Sequence, residues 1–105
     1  MHIFAGCFRL SIPGAASLKD RRHAVKGLCE RIRGRFPVAI ADLAGSNPMW
    51  GRAELGVTMV TADPSFGREV LEKVRDYIAN APDSLLDSYE VRSQPFDEWG
   101  EEEDF

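Results

Sequence analysis

Between Ser17 and Phe36 the chain carries seven basic residues and two acids, and the spacing of Lys19, Arg22, Lys26 and Arg33 would gather these four cations on one side of a helix. At 100° per residue they fall within a ~60° arc, with His23 and Glu30 beside them. A row of cations matches a phosphate backbone, to which basic side chains give sequence-independent affinity by releasing counterions. A solvated helix face has the same composition, so both readings stand. Arg21 falls nearer the apolar side and is expected to snorkel at the helix end.

A second group is Met49-Trp50-Gly51-Arg52. On a glycine-flanked loop tip, Trp50 would stack on a base or fill a partner's pocket, and Arg52 would add charge. Folded back, the same ring would cap the core. Neither histidine has a catalytic setting, since His2 is terminal and His23 lies on the basic segment. Cys7 and Cys29 have no C-x-x-C partner and no clustered histidine, so no zinc ligand set is formed. Gly14-Ala15-Ala16-Ser17 lacks P-loop spacing. With Lys19 and a helix N-terminus that turn would either hold one phosphate or serve as ordinary capping. The expectation is a non-enzymatic protein with no cofactor, no metal and no small-molecule substrate.

The elements that must position these residues follow from periodicity. From Phe4 to Ile12, Phe4, Phe8, Leu10 and Ile12 share one face and Arg9 and Ser11 the other, which predicts a half-buried strand. Gly6 leaves a gap where a helix could approach, and Pro13-Gly14 ends the strand. Ser17 is a helix N-cap with Asp20 three residues on. Leu18, Val25, Leu28, Cys29, Ile32 and Phe36 then make an apolar stripe that Gly34 and Pro37 terminate.

Val38–Leu43 and Arg52–Thr61 read as strands joined by a Gly45–Gly51 hairpin loop. Asp63-Pro64 starts a second helix, with Phe66, Val70, Val74, Ile78 and Ala81 on its inner side and Pro82 as its stop. Leu85–Arg92 supplies a fourth strand, with Tyr89 and Val91 expected inward. The order β-α-β-β-α-β predicts an α+β, ferredoxin-like domain over residues 1–94. Right-handed crossovers place both helices on one face of a four-stranded antiparallel sheet.

The 105 residues fit one domain, and the net charge of −4 conceals a division. Asp97 to Asp104 holds six acids and no base, so residues 1–96 carry a net +2. Residues 95–105 read as a disordered acidic tail that either solubilises the chain or folds onto the basic helix. The apolar runs fall short of the ~20 residues a spanning helix needs. No leader is apparent at Met1-His2-Ile3-Phe4, and two unspaced cysteines suit reduced thiols, which points to the cytoplasm.

Three stretches carry a family resemblance. They are Ile12-Pro13-Gly14-Ala15-Ala16-Ser17-Leu18-Lys19-Asp20-Arg21-Arg22, Arg35-Phe36-Pro37-Val38-Ala39-Ile40-Ala41-Asp42 and Trp50-Gly51-Arg52-Ala53-Glu54-Leu55-Gly56. In that order they resemble the YlxP-like family, small bacterial domains of unknown function, over about residues 2–92. The resemblance implies a ferredoxin-like fold. The family's genes often neighbour transcription-elongation, translation-initiation and ribosome-maturation factors, which implies an RNA or ribosome role by association. The chain departs from the family at Gly51, where a glutamine is usual, and at Ser46-Asn47-Pro48-Met49, where acids are common.

Two functions are therefore carried forward. One is an accessory protein contacting RNA or the ribosome through Lys19, Arg22, Lys26, Arg33, Trp50 and Arg52. The other is a homo-oligomeric interaction module using the open sheet face, where Ile3, Ala5 and Val60 are apolar and Cys7, Arg9, Arg52, Glu54 and Thr58 lie alongside. Single-strand RNA readers of this topology stack bases on sheet aromatics, and these positions have none, which argues against an RNA-recognition motif of the usual type.

Overall fold

A computed structural model describes residues 1–44 and 49–96. The sequence readings of loop residues 46–48 and of the acids from Asp97 onward lie outside the described residues. The elements are β1 (His2–Ser11), α1 (Leu18–Arg35), β2 (Ala39–Asp42), β3 (Arg52–Thr61), α2 (Pro64–Ala79) and β4 (Leu85–Pro95). The sheet runs β2-β3-β1-β4 with every neighbour antiparallel. This is the ferredoxin-like α+β arrangement that the element order predicted.

Local chemistry explains the helix boundaries. Ser17 Oγ accepts from the Asp20 amide at 3.1 Å, and the Asp20 carboxylate accepts in turn from the Ala16 amide at 3.0 Å. The Asp20 amide, which helix geometry leaves unpaired, and the Ala16 amide just before the cap are thereby satisfied. In α2, Asp63 accepts from the Ser65 amide at 2.9 Å and Pro64 takes the first helical position. Gly34 does not end α1. The helix continues to Arg35, and Phe36 caps it through its own amide to the Ile32 carbonyl.

The alternating face of β1 (Phe4, Phe8, Leu10) meets that of β3 (Ala53, Leu55, Val57, Met59) in one core with Val25, Leu28, Cys29 and Ile32 of α1 and Val70, Leu71, Val74 and Ile78 of α2. The approach of α2 to β1 depends on Gly67. A Cβ there would stand 2.2 Å from Phe4 Cε1, well inside van der Waals contact. At Gly6 an added Cβ would meet the Phe8 ring at 2.7 Å and Leu71 at 3.3 Å, so the expected gap in β1 is filled by these side chains.

Several stripe residues lie outside the core. Leu18 and Phe66 are exposed, and each sits in the first turn of its helix. Tyr89 and Val91 face the helix side, opposite Phe8 and Gly6, yet remain 46% and 38% exposed. The edge strand β4 runs past the cover that α2 provides. Tyr89 stacks on Phe8 with centroids 6.0 Å apart, and Arg75 Nη1 donates to its hydroxyl at 3.0 Å.

Candidate nucleic-acid interface

The N-terminal half of α1 forms one wall of a cleft of about 730 Å³. Lys19, Arg22, His23 and Lys26 line it from the helix, the Ile12–Ala15 turn forms its end, and Pro82–Leu85 lies across from them. Sequence spacing gave the cation row. It did not show the opposite wall, because the α2–β4 connection reaches α1 only through the tertiary fold. Lys19, Arg22 and Lys26 are exposed, and their side chains make no hydrogen bond or ion pair among the described residues. Asp20 and Asp83 also line the cleft, and the Asp20 carboxylate is already engaged with the Ala16 amide. The turn before α1 is occupied by capping: Ala15 donates to the Ile12 carbonyl, while the Ala16 and Asp20 amides are satisfied as described.

Arg21 holds this region together, and its expected snorkelling at the helix end is corrected. The residue is 3% exposed. Its Nε donates to the Arg52 carbonyl at 2.7 Å, and its Nη1 and Nη2 donate to the two Asp42 oxygens at 2.9 and 3.0 Å. A planar guanidinium satisfies a carboxylate and a carbonyl together, which makes its burial tolerable. The hydrogen bonds from Arg21 hold the Asp42 carboxyl below the usual carboxylate range, against the opposing effect of partial burial. The wheel position of Arg21, inside the apolar stripe, was the available signal, because a cation there must find an anion and Asp42 stands at the end of the next strand.

Trp50 is 55% exposed, which settles its placement away from the core, and Arg52 is exposed beside it. The tip is tied to the end of the cleft by one hydrogen bond and to the buried side of α1 by another. The Gly51 carbonyl accepts from the Ile12 amide at 2.9 Å, and the Arg52 carbonyl accepts from Arg21. Arg33 stands apart from this group. It lies two turns beyond Lys26, does not line the cleft, and donates from Nη2 to the Ile40 carbonyl of β2 at 3.0 Å. The structure thus brings together Lys19, Arg22 and Lys26, ties the Trp50–Arg52 tip to their cleft, and sets Arg33 at the far end of the helix.

The open sheet face carries Ile3, Ala5, Cys7 and Arg9 of β1 beside Glu54, Gly56, Thr58 and Val60 of β3. A shallow groove of about 430 Å³ crosses it, with Ala5, Leu43 and Val57 among its lining and Glu90 and Arg92 at one side. The Cys7 thiol donates to Glu54 at 3.1 Å, and Arg9 Nε lies 3.7 Å from the same carboxylate. Burial raises the pKa of Cys7, and the Glu54 contact raises it further; burial also raises that of Cys29. Both are free thiols held toward the protonated, weakly nucleophilic form. His2 pairs with Thr61 and Pro95 at the end of the sheet opposite His23. Among the described residues no cluster of three or more His, Cys, Asp or Glu gathers in metal-binding range. Among the described residues no helix is long and apolar enough to cross a membrane.

Comparison with known proteins matches residues 3–91 to the family described as Protein of unknown function (DUF503). The chain is 29% identical over 80 residues to the "Uncharacterized protein YlxP" of Bacillus subtilis (strain 168), covering 76% of this chain and 85% of that one. Among solved structures, the de novo designed protein Foldit4 superposes with a TM-score of 0.55 at 17% identity, over 90% of this chain and 98% of its own. That likeness supports the fold alone.

Proposed function

The chain belongs to the DUF503 family, and we propose that it is a cytoplasmic, non-enzymatic accessory protein that binds single-stranded RNA, such as an exposed ribosomal segment, in the cleft along α1. One observation carries this reading: Lys19, Arg22 and Lys26 converge on a single cleft with no counter-charge paired to any of them among the described residues. Desolvating an ion pair would oppose phosphate binding, and here there is none to break. Trp50 and Arg52, anchored at the cleft end, supply a stacking surface and a further charge. The described open-face positions of β1 and β3 carry no aromatic side chain, so this reading assigns base stacking to the tip.

Three cleft cations on a single strand give a log–log salt slope of about −2. Fluorescence anisotropy with labelled RNA at several salt concentrations measures it. Lys19→Glu with Lys26→Glu is expected to bring the slope toward zero. A flat slope for the native chain, or binding unchanged by the double reversal, discards the reading.

Self-association is the second reading. It is favoured by the apolar surface left uncovered on the open face, where Leu43 and Val60 are exposed, and along β4. Light scattering across a concentration series tests it, and a strict monomer at all concentrations ends it.

A further inference from the structure

Strand β4 closes one side of the sheet with eleven residues, whereas β2 closes the other with four. Its outer edge has no strand partner among the described residues, and a long unpaired edge is a template for another strand. Only part of that edge is regular. The ladder with β1 shifts between Arg9 and Leu10, which leaves Asp87 as the extra residue of a bulge, held by a hydrogen bond from Ser11 Oγ. At the other end Pro95 has no amide to donate. Between these interruptions, Ser88 to Gln94 pairs residue for residue with Arg9 to Ile3. Its midpoint is Val91.

Resting on the self-association reading, we propose that two copies of this chain join through the outer edges of β4, antiparallel, with Val91 on the two-fold axis. A continuous sheet requires facing residues to share a face, so the axis must pass through a residue. On Val91 it uses the whole regular segment. It also sets Glu90 opposite Arg92 of the partner subunit, and Arg92 opposite Glu90 of the partner subunit, both on the open face. Moving the axis one residue either way sets Glu90 against its own copy, or Arg92 against its own copy, and like charges directly opposite are unfavourable.

The pattern Tyr89-Glu90-Val91-Arg92-Ser93 is therefore self-complementary in one register. Arg92 and Glu90 already pair along their own strand, so both charged groups stand ready on that face. On the helix face Val91 meets its copy, and the small Ser93 of the partner subunit lies opposite Tyr89. The exposed strip of Tyr89 and Val91 beside a shallow groove of about 210 Å³ under α2 would be covered. Seven residues a side make a small interface, so the dimer forms at high concentration and dissociates on dilution.

Sedimentation equilibrium of the full chain, with circular dichroism to establish folding, tests the register. Glu90→Arg turns both cross-strand pairs repulsive and is expected to weaken the dimer roughly tenfold or more. Glu90→Arg combined with Arg92→Glu restores opposite charges and is expected to bring dimerisation back. Val91→Lys places two cations on the axis and is expected to abolish it. A dimer indifferent to Glu90→Arg and Val91→Lys overturns this register while self-association stands, and a native chain that is monomeric throughout overturns both. Failure of the double swap to recover what the single reversal loses also overturns the register.

Discussion

Removing Asp42 is expected to harm the fold more than removing Arg21, although both changes break the same ion pair. In Asp42→Ala the guanidinium is left with the Arg52 carbonyl alone. Its side chain is 4% exposed, so water cannot replace the lost carboxylate. Stranding one member of a buried pair costs about 3–5 kcal/mol. In Arg21→Met the carboxylate that remains is 35% exposed and keeps the Ala44 amide at 3.0 Å. Rehydration and screening should reduce that loss to about 1–2 kcal/mol, with methionine filling much of the vacated space. The difference of about 2 kcal/mol corresponds to roughly 10 °C in Tm for a domain of this size.

Urea titrations with matching slopes and thermal melts measure both variants. Equal losses, or a larger one for Arg21→Met, would refute the argument from unequal burial. The acid limb supplies a further check. Because Arg21 depresses the folded pKa of Asp42, this pair's contribution is complete above the unfolded value of about 3.9 and is lost as pH falls through the lower folded value. The stability gap between the native chain and Asp42→Asn should therefore be level near neutrality and close only in strong acid.

Two glycine substitutions should have opposite signs. Gly67→Ala drives a methyl into the ring of Phe4, a fully buried residue, so overpacking of about 1–3 kcal/mol should exceed the ~1 kcal/mol gained in helix propensity. Gly34→Ala meets nothing within 4 Å and should stabilise α1 by up to about 1 kcal/mol. Urea midpoints decide both, and a neutral Gly67→Ala would show that the packing of α2 on β1 yields at that point.

The fold was legible because local signals agree with one another. Ser17 and Asp63 mark the helix starts, and the apolar positions of β1 and β3 alternate where the sheet needs them buried. What escaped was set by tertiary neighbours. Periodicity places Tyr89 and Val91 on the inner face but says nothing of how far α2 extends over β4. The bulge at Asp87 appears only when the ladder with β1 is laid out. Helix spacing along α1 alone groups Arg33 with Lys19, Arg22 and Lys26. In the fold it reaches the β2 carbonyl of Ile40, while the other three share a cleft with the α2–β4 connection. Arg21 was displaced for the same reason: its partner Asp42 belongs to another element.

The cleft and the β4 edge constrain each other geometrically. Leu85 lines the cleft and begins β4, six residues before the proposed axis at Val91. In the paired arrangement the two copies of Leu85 lie twelve strand residues apart, about 40 Å at 3.3 Å per residue. The two clefts then sit at opposite ends of the joined strands. An RNA segment that fills one cleft gains nothing from dimerisation, whereas a strand long enough to cover that distance binds the second cleft at raised effective concentration. Affinity for long RNA should then rise with protein concentration through the range where the dimer forms, and affinity for a short oligonucleotide should not. Glu90→Arg, which leaves all three cleft cations in place, should remove the length dependence and spare the short-strand affinity. If long and short strands respond alike in the native chain and in Glu90→Arg, the two surfaces do not act together and the dimer has no part in RNA binding.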